Sequence, residues 1–245
     1  MDQATYAVES EVEQTHWWFV VRRQLFKKTI RDLNLPADAA ILDAGTSTGT
    51  NLRMLREMGF TNFQGLDLSD DAIRWCAQKG LGTVRKGDVC NMPFADASFD
   101  LVLATDIVEH VEFDVRALQD IRRVLKPGGR AIVTVPAFES LWGLQDRVAQ
   151  HQRRYTRREL ADKLAAADCR IYEAYYFNFL LFAPIWAARQ LIRIFKPSIE
   201  SENQLNSPLI NSILKAVFTL DVACARILHV PFGVSLFALV GRNGG

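Results

Sequence analysis

The chain has little cysteine: Cys76, Cys90, Cys169 and Cys224 are scattered through 245 residues with no CxxC pair and no zinc-ligand spacing. That excludes a disulfide framework and a structural zinc site, and the thiols read as reduced. Charge imbalance is also missing, with 29 Lys+Arg against 28 Asp+Glu and a net charge of +1. Broad nucleic-acid binding needs a strongly basic face, so no nucleic-acid partner is expected. No uninterrupted run reaches the roughly 18 apolar residues of a membrane span. The opening Met1-Asp2-Gln3-Ala4-Thr5-Tyr6 has neither a basic nor an apolar region of a secretory signal, so a cytoplasmic location is expected. Repeats and low-complexity tracts are absent.

What is present centres on Ile41-Leu-Asp-Ala-Gly-Thr-Ser-Thr-Gly-Thr-Asn-Leu52. A short apolar run ends in a carboxylate, breaks around Gly45 and Gly49, and gains helical spacing through Leu52, Leu55 and Met58. This is strand, tight turn and helix. In open α/β sheets ligands bind beyond the carboxyl ends of strands, so the turn is a place for a nucleotide-like cofactor. A P-loop would need Gly-Lys-Ser/Thr, which is absent. A dinucleotide fingerprint would need glycine where Gly45, Ser47 and Thr50 stand, and two of the three fail. A nicotinamide oxidoreductase therefore ranks last.

Residues 1–35 read as helical and aromatic, with His16-Trp17-Trp18-Phe19 ahead of Arg22, and Trp18 and Arg22 share a helical face. Asn62 to Asp67 reads as a second strand, and Leu68-Ser69-Asp70 as a cap to a helix buried through Ala72, Ile73, Cys76 and Ala77. Asp67 lies about 20 residues beyond the turn, where a carboxylate can accept both hydrogen bonds of a ribose diol. Leu81 to Arg85 reads as a third strand leading to Asp88. Ser98 to Ala104 suits a strand buried on both faces, and Arg130 to Pro136 a fifth strand after Lys126-Pro-Gly-Gly129. Such alternation means a parallel sheet with helical crossovers.

Leu42-Asp-Ala-Gly-Thr-Ser-Thr-Gly49, Gly65-Leu-Asp-Leu-Ser69, Gly87-Asp-Val89, Phe99-Asp-Leu-Val-Leu103 with Glu109-His110, and Leu125-Lys-Pro-Gly-Gly129 together resemble the class I S-adenosylmethionine-dependent methyltransferases. The ordered set covers roughly residues 38 to 137. The resemblance implies an α/β, three-layer Rossmann-like seven-stranded methyltransferase sheet whose last strand, Val234 to Val240, is antiparallel. It implies S-adenosylmethionine as cofactor. Asp43, Gly45, Thr46 and Gly49 would wall the methionine part, Asp67 would take the ribose hydroxyls, and Leu68 would touch the adenine. Asp88 and Val89 would meet the adenine edge and Thr105 would line the methyl channel, with Trp18 and Arg22 reaching over from the lid. The family usually has glycine where this chain has Ser47. The flanks, with the His-Trp-Trp-Phe start and Pro231-Phe-Gly-Val-Ser235, resemble a bacterial subgroup of the family, of methyltransferase type 11/12. The expected organisation is a lid at 1–35, a core at 36–177, an insertion at 178–230 and a final core strand in 231–245.

The insertion has an apolar first half, Phe179 to Ala188, followed by Arg189, Arg193 and Lys196, and an amphipathic second half, Leu209 to Leu228. Basic-flanked apolar stretches can lie in a bilayer interface. A membrane-surface contact at the inner face of the membrane, a packed helical subdomain, a homodimer face and a lid for a greasy substrate all stay open. For the acceptor, a small or lipid-linked oxygen nucleophile is expected, with His110 or His151 as general base. Asp106-Ile-Val-Glu109-His110 resembles the acidic motif of ubiquinone-pathway O-methyltransferases, so Asp106, Glu109 and His110 could hold a divalent metal for a quinone-like or lipid substrate. Arg153, Arg154, Arg157 and Arg158 form a cationic cluster that is either a solvated helix start or an anion site. A protein that binds the cofactor without transferring from it is the main competitor, and a different transfer from the same cofactor the next.

Overall fold

Seven strands lie in the order β3-β2-β1-β4-β5-β7-β6. The computed structural model of the chain describes residues 3–195 and 207–243. In chain order these strands are β1 (Ile41–Ala44), β2 (Phe63–Asp67), β3 (Val84–Lys86), β4 (Phe99–Thr105), β5 (Leu125–Pro136), β6 (Cys169–Phe177) and β7 (Ser235–Arg242). The first five pair in parallel, and β7 is antiparallel to both β5 and β6. The order reverses between β1 and β4, and a cleft opens beyond the carboxyl ends of strands at such a point.

Strand alternation builds two cores. Leu42, Ala44, Val102 and Ala104 face one layer with α5 (Asp114–Val124) and α7 (Arg157–Ala166). Ile41, Leu101 and Leu103 face the other, against α2 (Trp17–Asp32), α3 (Thr50–Glu57) and α9 (Pro208–Leu228). Both faces of the parallel strands are covered, which is why they read as nearly continuous apolar runs. A third cluster of Leu52, Cys76 and Leu81 joins α3 to α4 (Asp70–Gln78).

Several details differ from the sequence expectations. The third strand is confined to 84–86, because Gly82 with φ +89° breaks the extended run before it. Ala77 is exposed, leaving Ala72 and Cys76 as the buried side of α4. Lys126 to Gly129 belong to β5: Leu125 pairs with Phe99, and the ladder resumes only at Arg130 opposite Leu101, so the four residues form a bulge. A short helix, α6, covers Leu144–Val148.

The amino-terminal segment is two helices, α1 (Gln3–Val12) and α2, hinged at His16, whose Nδ1 caps α2 by accepting from Trp18 N. Val21, Leu25, Phe26 and Ile30 sink α2 into the core, so only α1 and the first turns of α2 overhang the sheet. In the insertion, α8 (Phe182–Phe195) and α9 are described, and Lys196 lies outside the described residues. α9 buries Phe218, Asp221 and Ala225. Its Asp221 carboxylate accepts from the amides of Asn178 (2.6 Å) and Leu180 (2.8 Å), fixing the chain where β6 ends. Although the sequence has no long unbroken apolar run, α9 is apolar enough by length and composition to cross a membrane, with a mean hydropathy of 1.4. Asp221→Ala leaves two amides near the core without an acceptor. It should cost about 2–4 kcal/mol of unfolding free energy, read as a lower denaturant midpoint.

Candidate active site

A cleft of about 1210 Å³ opens at the β1/β4 reversal. It exceeds the roughly 300–1,000 Å³ of a usual single-ligand pocket, so it has room for a cofactor and an acceptor together. Its floor is the turn after β1. Gly45 has φ +78°, and a Cβ there would stand 2.7 Å from Ile107 Cδ1, so backbone alone forms that wall.

Ser47 also sits in the left-handed region, at φ +48°. A Cβ is costly there, and two hydrogen bonds offset it. Its amide donates to Asp67 Oδ2 (3.0 Å) and its hydroxyl to Glu9 Oε2 (3.0 Å) on α1. Glu13 goes further. Its buried carboxylate accepts from the hydroxyls of Thr48 and Thr50 and from Lys79 Nζ at 2.9 Å. Burial alone would raise its pKa, but these donors outweigh burial and hold it below the ordinary glutamate value. The hydroxyls of Ser47, which stands where the family usually has glycine, and of Thr48 and Thr50 are therefore the groups to which the lid is tied.

Asp67 lines the cleft. Each carboxylate oxygen accepts one backbone amide, from Ser69 at 2.9 Å and Ser47 at 3.0 Å, which leaves lone pairs on both for a diol. Burial pushes its pKa up, and those amides pull the other way. Leu68, 66% exposed at the cleft, offers apolar surface to a flat ring, and Asp88 and Val89 lie on the same wall. Asp88 Oδ1 accepts from Cys90 N at 2.8 Å. Trp18, Arg22, Gly45, Thr46 and Thr105 line the cleft as well.

Two expected wall residues stand behind it. Asp43 is fully buried and braces the turn, accepting from Thr46 Oγ1 (2.6 Å) and Asn51 Nδ2 (2.9 Å). Burial raises its pKa to about 6 against those two bonds. Gly49 is a packing glycine: a Cβ would stand 2.4 Å from Leu81 Cδ1.

Arg22 stacks near Trp18 and Phe26 and pairs with Asp106 at 2.6 Å. This takes Asp106 out of the expected metal set. The groups that do converge are Glu109, His110 and His151, with ligand atoms within 4.8 Å of one another. The reason is the backbone: Asp106 has φ +55° and hydrogen-bonds Thr134, while residues 108–110 form a separate 3-10 turn. Glu109 is wholly buried, and neither of its oxygens has a hydrogen-bond partner among the described residues. Burial and the Asp106 charge push its pKa well up.

His110 and His151 both line the cleft, with ring centroids 4.7 Å apart and edge to face. Burial and the neighbouring imidazole take His110 down to about 3, so it is neutral at physiological pH. His151 Nδ1 lies 2.8 Å from Asp146 Oδ1. Burial opposes the Asp146 charge, but His151, Arg154 and Arg189 overcome it and hold that carboxyl well below the usual range. An ionised Asp146 requires the proton on Nδ1, which leaves the lone pair on Nε2. The arginine cluster is mostly committed: Arg154 chelates Asp146 (2.8 and 3.0 Å) and Arg153 pairs with Asp114 at 2.9 Å. Arg157 and Arg158 are exposed.

Residues 42–133 match a family model described as a methyltransferase domain. This match and the methyltransferase-named relatives support a class I S-adenosylmethionine-dependent methyltransferase core. Family and fold imply S-adenosylmethionine as its cofactor. A methyltransferase-named protein of Encephalitozoon cuniculi is 33% identical over 150 residues, covering 59% of this chain and 64% of that one. The demethylmenaquinone methyltransferase of Chlorobaculum parvum is 31% identical over 123 residues, 49% of each chain. The chain thus spans about half to two thirds of the length of these relatives. Among solved structures, a chain of the complex between the Haloferax volcanii Trm112 methyltransferase activator and a methyltransferase matches with a TM-score of 0.65. It is 19% identical, and the match covers 99% of this chain and 96% of that one, a likeness of fold.

Sequence reasoning missed Glu9, Glu13, Asn51 and the role of Asp146. Asp146 to His151 and Asn51 to Asp43 are local spacings, whereas Glu9 and Glu13 act across 35 to 38 positions. Glu13→Ala should strip two hydroxyls of their acceptor and leave Lys79 with only the Thr48 carbonyl beneath α1. Amide exchange over residues 3–16 is expected to rise sharply while the sheet stays protected, with about 3 kcal/mol lost overall.

Proposed function

We propose that this methyltransferase-family chain transfers a methyl group from S-adenosylmethionine to a hydroxyl of a small or lipid-linked acceptor, with His151 as general base. The observation that carries the reading is the Asp146–His151 pair, at 2.8 Å, on the wall of the cleft that also holds Gly45, Asp67 and Thr105. When bound, the cofactor supplies an electrophilic methyl group on a sulfonium. The protein's part is to hold the acceptor oxygen in line, exclude water and take up a proton. Asp67 would hold the ribose diol, Leu68 and Val89 the adenine face and edge, and the Gly45–Thr46 backbone the methionine part. Methyl transfer to the acceptor oxygen would leave the cofactor as a neutral thioether, so the one proton the protein must take up is that of the acceptor hydroxyl. The hydroxyl proton passes to His151 Nε2, and Asp146 stabilises the resulting imidazolium. Trp18 and the Arg22–Asp106 pair close the side over which α1 and α2 lie.

A second reading is favoured by Glu109, whose two buried oxygens lack partners. One carboxylate and two imidazoles suit several divalent metals, and Asp146 on His151 Nδ1 is the outer-shell carboxylate such sites use. In that case the ion would orient the acceptor oxygen in place of a free base.

His151→Gln is expected to lower kcat about 10²–10⁴-fold, measured as S-adenosylhomocysteine formed, while calorimetric affinity for the cofactor is unchanged. Asp67→Ala should weaken cofactor binding about 10–100-fold. Cofactor binding without any product in host lysate, membrane fraction included, would instead make the chain a binding protein. Chelation separates the two catalytic readings: activity lost with a chelator and restored by a divalent metal supports the ion, and activity indifferent to both supports the free base.

A further inference from the structure

Fifteen large apolar side chains are exposed among the described residues, and twelve of them fall between 180 and 232. On α8 they include Trp186, Leu191, Ile194 and Phe195, and on α9 Ile213 and Leu220. So much outward apolar surface on two helices exceeds what scattered surface residues produce. Among the described residues of the same stretch, exposed charge has one sign. Arg193 and Lys215 are exposed, whereas Asp221, the sole carboxylate of described residues 180–232, is buried against backbone amides.

We propose that the outer faces of α8 and α9 form a docking surface for an anionic lipid bilayer. α9 is held from within, by Phe218, Asp221 and Ala225 and by Arg226 pairing with Asp32 at 2.8 Å. With one face tied into the fold, it lies along the interface and does not cross it. A second copy of the chain fits less well, since a two-fold face would bring these cations together with no exposed carboxylate among described residues 180–232 to meet them. Anionic headgroups supply that partner, and tryptophan favours the headgroup depth.

The surface is joined to the cleft. Arg189 turns inward from α8 to the Leu141 carbonyl and lies 3.7 Å from Asp146, and Arg193 donates to the Trp142 carbonyl. Residues 141–146 thus seat α8 and also carry the carboxylate that holds His151. A bilayer under α8 would place the acceptor end of the cleft beside the membrane. The docking claim deepens the lipid-linked form of the methyl-transfer reading, but it stands or falls separately.

Flotation of the full chain with phosphatidylglycerol-containing and pure phosphatidylcholine vesicles, at low and high salt, tests it. Binding is expected to be at least roughly tenfold tighter to the anionic vesicles and to weaken with salt. The exposed double variant Ile194→Glu/Leu220→Glu should lose roughly tenfold or more. Lys215→Glu should reduce the preference for the anionic vesicles. Unchanged calorimetric affinity for S-adenosylmethionine certifies that each variant is folded. Absent binding, equal binding to both vesicle types, insensitivity to the double variant, or a stable dimer broken by that variant would each overturn the proposal. Methyl transfer without vesicle binding sinks the docking alone, and vesicle binding without transfer sinks the activity alone.

Discussion

A carboxylate sealed beneath a tight turn sets the geometry on which the cleft depends. Asp43 ends β1 with no exposure to water, and its oxygens are met by Thr46 from the turn and Asn51 from α3. The Asn51 amide also reaches Thr105 Oγ1 at the end of β4, 3.0 Å away. One buried acceptor therefore ties together the two strands that flank the sheet's reversal, the turn between β1 and α3, and the helix that leaves it. Buried polar networks that are fully paired hold one arrangement, because any other leaves a group unsatisfied at a cost of about 1–3 kcal/mol.

Upon that brace the chain adds an amino-terminal cover with its own polar logic. Glu9 accepts from Ser47, the residue that sets this turn apart from the family's glycine, and Glu13 accepts from Thr48 and Thr50. Burial takes Glu9 up to about 7, opposed by the Ser47 bond, while Lys79 keeps Glu13 ionised. A serine at positive φ is thus a strained residue whose hydroxyl has a partner, and the strain and the partner belong to the same local design.

The framework was legible because its signals are short-range. Apolar runs ending in Asp43, Asp67 and Thr105, glycine at Gly45, and Ser69 capping α4 each announce an element within a few residues, and the ordered motifs then give the sheet. What stayed hidden depends on distance along the chain. Asp43 looks like a ligand-facing carboxylate from its place at a strand end, and only packing reveals it as a brace. Asp106 fits helical spacing with Glu109 and His110, but a left-handed backbone and the reach of Arg22 from 84 positions earlier give it to the lid. His151 takes its place from a segment about 40 residues later, after α5 and β5 have intervened. The arginine cluster left a solvated helix start and an anion site both open, because the acids that pair with Arg153 and Arg154, Asp114 and Asp146, are invisible as partners until the chain is folded.

The last strand of the described chain is not at an edge. β7 pairs with β5 on one side and β6 on the other, contributing buried residues Leu236 to Val240 to both ladders. During synthesis β5 and β6 emerge long before it, with an open slot between them and unpaired edges facing that slot. Non-local pairing of this kind is slow and leaves sticky strand edges exposed meanwhile. The sheet closes only when residues 235–242 have left the ribosome, so folding of this half of the molecule waits on β7, and truncation ahead of it would prevent closure.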